Sequence, residues 1–100
     1  MSTEAPPAPV APAPAVQPPR PKRLPGWSVL LHNDDVNEVT FVIRTVSNLV
    51  RLRVEDAVTR VVEAHNTGVA LLTVTHREHA ELLQEQFQSV GLTVTIEPAP

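Results

Sequence analysis

From Trp27 onward the chain switches between two hydrophobic periods. Trp27, Val29 and Leu31 share one face of a period-two run that ends at His32, ahead of the turn-forming Asn33-Asp34-Asp35, and so predict a first strand. Val39, Val42, Ile43, Val46 and Leu49 then recur at helical spacing, with Asn37 placed to cap the helix they predict. Past the basic connector Arg51-Leu52-Arg53, a second helical stripe runs through Val54, Ala57, Val58, Val61 and His65, and Gly68 is positioned to close it in a left-handed cap. The start of this helix is its weak end, because Arg53 stands where Asp or Ser would cap and its charge opposes the helix dipole. The short bounded apolar run from Val69 to Val74 predicts a second strand. Thr75-His76-Arg77-Glu78 has capping-box spacing, and Ala80, Leu83, Phe87 and Val90 carry a third helix to Gly91. Leu92 to Ile96 alternates strictly and predicts the last strand.

The order strand, helix, helix, strand, helix, strand points to an α+β fold in which a three-stranded antiparallel sheet packs on one face against three helices. The other sheet face, carrying Thr93 and Thr95, is left to water. This domain is expected to span residues 26–98. Residues 1–25 are mostly Pro, Ala, Val and Gln without a period. Such a stretch cannot bury enough apolar surface to offset the ~1–2 kcal/mol per residue of backbone entropy lost on ordering, so a disordered N-terminal extension is expected there.

Charge divides along the same boundary. Residues 1–25 hold Arg20, Lys22 and Arg23 against Glu4, a net +2, whereas the remainder has five basic and ten acidic residues, a net −5. A domain this acidic repels the phosphates that supply most nucleic-acid affinity, and suits a cationic ligand instead. No apolar run approaches the ~18 residues of a membrane span, and the N-terminus lacks a basic start followed by an apolar block. With no cysteine there is no disulfide framework, thiolate metal site or thiol nucleophile. A cytoplasmic, monomeric protein without cofactor is expected.

The densest polar cluster is His32-Asn33-Asp34-Asp35. Asx residues in that place can simply form the turn and cap the next helix. They can also present one amide oxygen and two carboxylates to a cation such as an ammonium group. His65, on the apolar stripe of the second helix, is either a boundary residue held by one hydrogen bond or a neutral acceptor aimed into a pocket. The two functional readings support each other only if the turn and the second helix meet. Metal chemistry has little to build on: His76 and His79 are three residues apart rather than four, with Arg77 beside them, and Asp35-Val36-Asn37 is only a fragment of a calcium loop. No phosphate-binding glycine loop or serine elbow is present.

Val29-Leu30-Leu31-His32-Asn33-Asp34-Asp35-Val36-Asn37 followed by Thr40-Phe41-Val42, and later Ala64-His65-Asn66-Thr67-Gly68, resemble the two sequence blocks of the ClpS family in their order and spacing. The resemblance implies an adaptor, not an enzyme. It would bind the free N-terminal bulky hydrophobic residue of substrate proteins, the N-degron, and deliver them to a Clp AAA+ unfoldase of ClpA or ClpC type. By the same resemblance Asn33, Asp34 and His65 hold the substrate's α-amino group with Asp35 in support, while Val39, Val42, Val61, Ala64 and Leu92 wall a side-chain pocket with Asn37 at its rim. The chain departs from the family at Val39, where Met is common, at Asn37, where Thr is frequent, and at Arg53. Two other readings compete. The C-terminal domain of the bacterial ribosomal stalk protein shares this order of elements, so a docking module without N-degron binding fits the same fold. A metal-assisted hydrolase built on Asp34, Asp35 and His65 is the third.

Overall fold

A computed structural model describes residues 25–100. Six elements follow one another: β1 (Trp27–His32), α1 (Val39–Val50), α2 (Val54–Thr67), β2 (Val69–Thr75), α3 (Arg77–Ser89) and β3 (Val94–Pro98). The three strands form one antiparallel sheet, as expected, and they lie in the order β2-β1-β3. The expected N-terminal extension falls almost wholly outside the described residues.

Leu31 pairs with Ala70 on one side and Val94 on the other. Cross-strand partners share a face, and these three are each no more than 2% exposed beneath the helices. The β1–β2 register slips between Val29 and Leu30, passing over Leu72. That extra residue resets the alternation in β2. Ala70 and Leu72 are buried, yet Val74 does not follow them inward; it pairs with Ser28 on the open face and is 50% exposed. On the same open face His32 Nε2 and Thr95 Oγ1 lie 2.8 Å apart.

Each helix covers the sheet with its own buried face. α1 buries Val42 and Val46, and α3 buries Ala80, Leu83 and Phe87, the largest fully buried side chain. In α2 the buried positions are Ala57 and Ala64, with Val61 partly covered. The stripe is therefore rotated from the one predicted: Val54, Val58 and His65 lie exposed beside it. The two alanines carry no side-chain bulk beyond Cβ, so they let the helix lie close to its neighbours while the larger valines stay at the margin.

The caps differ from expectation. Glu38, not Asn37, is the N-cap of α1, and it makes no side-chain cap bond. Arg53 caps α2 without a side-chain bond either, while Glu55 and Asp56 supply the acidic first turn that its dipole favours. His76 replaces Thr75 as N-cap of α3, its Nδ1 accepting from His79 N–H at 3.3 Å, so the predicted capping box is not formed. β3 begins at Val94 rather than Leu92, because Leu92 N–H donates to Phe87 C=O and closes α3 instead of joining the ladder.

Candidate functional site

The end of β1 sets the site. Asn33 N–H donates to Gly68 C=O at 3.0 Å, tying the Asx turn to the C-cap of α2. Gly68 sits at φ +96, where an L side chain would be strained, and its own N–H donates to Ala64 C=O at 2.8 Å. The turn and the last turn of the second helix thus meet.

Within the turn Asp34 is the hub. Its Oδ1 accepts from Val36 and Asn37 backbone N–H, both at 2.8 Å, and its Oδ2 accepts from Asn37 Nδ2 at 2.7 Å. Partial burial pushes against the charged form, but these donors from Asn37 and Val36 outweigh it and hold the carboxyl below its ordinary value. Asn37 Nδ2 also donates to Gly91 C=O at 3.0 Å, reaching the loop between α3 and β3. Asp35 Oδ1 accepts from Asn33 Nδ2 at 3.3 Å. With that amide nitrogen turned to Asp35, Asn33 Oδ1 has no donor among the described residues. His65 is exposed and makes no side-chain hydrogen bond to a described residue.

Beside these groups lies a cavity of about 200 Å³ that opens to solvent. Its apolar walls are Leu31 from β1, Val39 and Val42 from α1, and Val61, Val62 and Ala64 from α2. Val42 and Ala64 are 3% and 2% exposed, Val39 and Val62 60% and 50%, so the lining runs from a buried base to a half-exposed mouth. The polar lining is His32, Asn33, Asp34, Asn37 and His65. Eight of the expected site residues therefore share this one cavity: Asn33, Asp34, Asn37, Val39, Val42, Val61, Ala64 and His65. Asp35 stands behind Asn33 rather than on the wall. Leu92 is buried in the core and does not line the cavity, because its backbone is held to the end of α3.

Three wall residues were not foreseen. Leu31 was read only as core, and His32 only as part of the polar cluster. Val62 adjoins Val61 but lies off the predicted stripe, half-exposed at the cavity mouth. Among the described residues no group of three or more His, Asp or Glu converges as a metal site would require.

The ClpS family model, described as ATP-dependent Clp protease adaptor protein ClpS, matches residues 22–95. The chain belongs to the ClpS family. Its relatives include the ClpS adapter protein of Synechococcus sp. (strain CC9902), 47% identical over 78 residues, which are 77% of this chain and 75% of that one. The chloroplastic CLPS1 adapter of Chlamydomonas reinhardtii is 45% identical over the same share of this chain and 48% of its own length. Among solved structures, Agrobacterium tumefaciens ClpS2 bound to L-phenylalaninamide superposes with a TM-score of 0.68 at 25% identity, covering 77% of this chain and all of that one. This ClpS protein is accordingly an adaptor of the Clp protease system, and its relatives are adaptors rather than proteases. Family membership decides against the stalk-type docking module, which shares only the order of elements. No described helix is long and apolar enough to cross a membrane.

Proposed function

We propose that the cavity binds the free N-terminus of substrate proteins whose first residue is bulky and hydrophobic, and that the chain passes them to a Clp AAA+ unfoldase of ClpA or ClpC type. The adaptor domain spans residues 26–98 and acts as a monomer, with residues 1–25 as an extension. One observation carries this reading: the Asn33 N–H to Gly68 C=O bond unites an acceptor-lined turn, an exposed His65 and an apolar cavity.

A substrate ammonium brings three donors and one positive charge. Asn33 Oδ1, the remaining acceptor capacity of Asp34 and a neutral imidazole nitrogen of His65 supply matching acceptors, in a domain of net charge −5. Asp35 acts through Asn33, turning its amide so that the oxygen is left for the ligand. The first side chain then enters the apolar cavity, where burial of a Leu or aromatic group contributes roughly 1.5–3 kcal/mol. L-phenylalaninamide, the ligand of the Agrobacterium relative, joins a free amino group to a benzyl side chain, the two features such a site selects. No bond is made or broken.

The test is fluorescence titration with peptides that differ only in the first residue, each with a free or an acetylated N-terminus. Free Leu- and Phe-initiated peptides are expected to bind, and their acetylated forms and Ala-initiated versions to bind at least tenfold more weakly. Equal binding by free and acetylated peptides sinks the reading.

A further inference from the structure

The Asn37 side chain does something no other residue of the turn does. Its Nδ2 donates both to Asp34 Oδ2, at 2.7 Å, and to Gly91 C=O, at 3.0 Å, fifty-four positions away in the chain. Gly91 itself is fixed: its φ is +87, and its N–H donates to Gln88 C=O at 3.0 Å, within the turn that closes α3. The Asx turn is therefore held at two separate places. The Asn33 backbone anchors it to the end of α2, and the Asn37 side chain anchors it to the end of α3.

Asp34 has about four acceptor positions on its carboxylate, and three are taken by Val36 and Asn37 donors. What is left for a ligand points wherever those three donors leave it. Two of them are backbone N–H groups of the turn, so the orientation of the free lone pair depends on the turn keeping its shape. The third, from Asn37 Nδ2, couples that shape to a fixed carbonyl on another element.

On the amine-binding reading above, we propose that Asn37 is a positioning residue: a side-chain strut between the Asp34 carboxylate and the Gly91 carbonyl that presets the acceptor turn for a substrate ammonium. Its side chain also belongs to the polar lining of the cavity, and its effect on the ammonium passes through Asp34.

The test compares the full chain with Asn37→Ala, Asn37→Thr and Asn37→Asp. Each is titrated with Leu-initiated and Ala-initiated peptides, the former also acetylated, and the Asp34 carboxyl is titrated by the NMR shift of its carboxyl carbon. Asn37→Ala is expected to lose about tenfold in affinity for the free Leu peptide, the usual worth of a hydrogen bond to a charged group. Asn37→Thr has one donor for two acceptors and recovers part of the loss. Asn37→Asp sets a second carboxylate against Asp34 and binds more weakly than Asn37→Ala. In Asn37→Ala the Asp34 carboxyl titrates at a higher pH than in the parent, because one donor to its charged form is gone. Leu- and Ala-initiated peptides both weaken, because the amine they share is the group that Asp34 receives.

A side chain that merely packs would show no rescue by Thr and no movement of the Asp34 titration, and either result overturns the assignment, as does parent affinity in Asn37→Ala. Should Asn37→Ala fail to fold, the Asn37 side-chain amide protons of the parent decide: protection from exchange that rises on peptide binding supports the strut, and free exchange refutes it. A parent chain that binds free and acetylated peptides equally instead brings down the amine reading, and the role of Asn37 with it.

Discussion

Val39 opens the first turn of α1 at the mouth of the cavity, and its 60% exposure shows how little of it the core uses. A Met in its place, common in the family, would lay a long flexible side chain over the entrance. A β-branched ligand, whose bulk lies next to its own backbone, would meet that side chain first. Val39 is shorter, and room is left near the ligand's Cβ, although its own branching makes it stiff at χ1. Val39→Met is expected to improve Leu over Ile as first residue, by up to ~0.8 kcal/mol for each CH₂ it adds to the contact. The measurement is the ratio of affinities for Leu- and Ile-initiated peptides. An unchanged or smaller ratio in Val39→Met removes position 39 from the gate.

Among the elements, α1 ends in a way that leaves stability unused. Its C-cap, Arg51, lies at φ +65, the one non-glycine residue with positive φ among those described, and its N–H donates to Ser47 C=O. The geometry is a left-handed cap, which glycine fills without strain. Arg51 nevertheless occupies it, and Ser47 helps by donating its hydroxyl to Leu52 C=O at 2.7 Å while its carbonyl accepts from Leu52 N–H. The left-handed conformation costs an L residue roughly 1–2 kcal/mol, and glycine returns roughly 0.4–1 kcal/mol of that as extra freedom in the unfolded chain. Arg51→Gly is therefore expected to stabilise the domain by about 0.5–1 kcal/mol, read as a higher urea midpoint at constant slope. A lower midpoint would show that the Arg51 side chain contributes more than its backbone costs. At the start of α3, Arg77 Cζ lies 5.0 Å from the Trp27 ring centroid, a cation–π contact that fastens this helix to the start of the central strand β1.

At the scale of the molecule, charge and composition assign different work to the two parts of the chain. Among the described residues the cavity is lined wholly by residues 31–65. Residues 1–25, with a net charge of +2 and no hydrophobic period, have nothing to add to a pocket for a single side chain. A Pro-rich, mildly basic segment is suited to enter the pore of an unfoldase, where a folded domain would first have to be unravelled. Deletion of residues 1–20 is expected to leave peptide affinity at the parent value and to slow unfoldase-dependent degradation of an N-degron substrate. Parallel measurement of both quantities checks it, and an unchanged degradation rate would show that the extension plays no part in handover.

The order of the elements and their type were legible in the periods, because each strand and helix buries one face and the buried face repeats at the spacing of its own backbone. Eight of the ten candidate site residues line one cavity, although the residues by themselves left Asn33 and Asp34 open as a plain turn and His65 as a boundary residue. What the sequence could not supply were the choices made between elements. The continuous apolar run of β2 reads the same with or without the bulge at Leu72, and only pairing with β1 turns Val74 outward. Five candidate positions on α2 fit a helical stripe, and packing against the neighbouring elements decided that Ala57 and Ala64 face inward while Val54, Val58 and His65 stay exposed. Leu92 alternates like a strand residue, but its N–H was claimed by Phe87 C=O and its side chain by the core. Asn37 looked like a helix cap, since the spacing of Asn and Asp near a helix start is the same in either use. Its partner Gly91 lies on the far side of three helices and a strand in the sequence, and only the folded chain puts that carbonyl within 3.0 Å. Local pattern records what a residue requires of its neighbours in sequence, whereas a hydrogen bond between distant segments exists only after burial has set the distance between them.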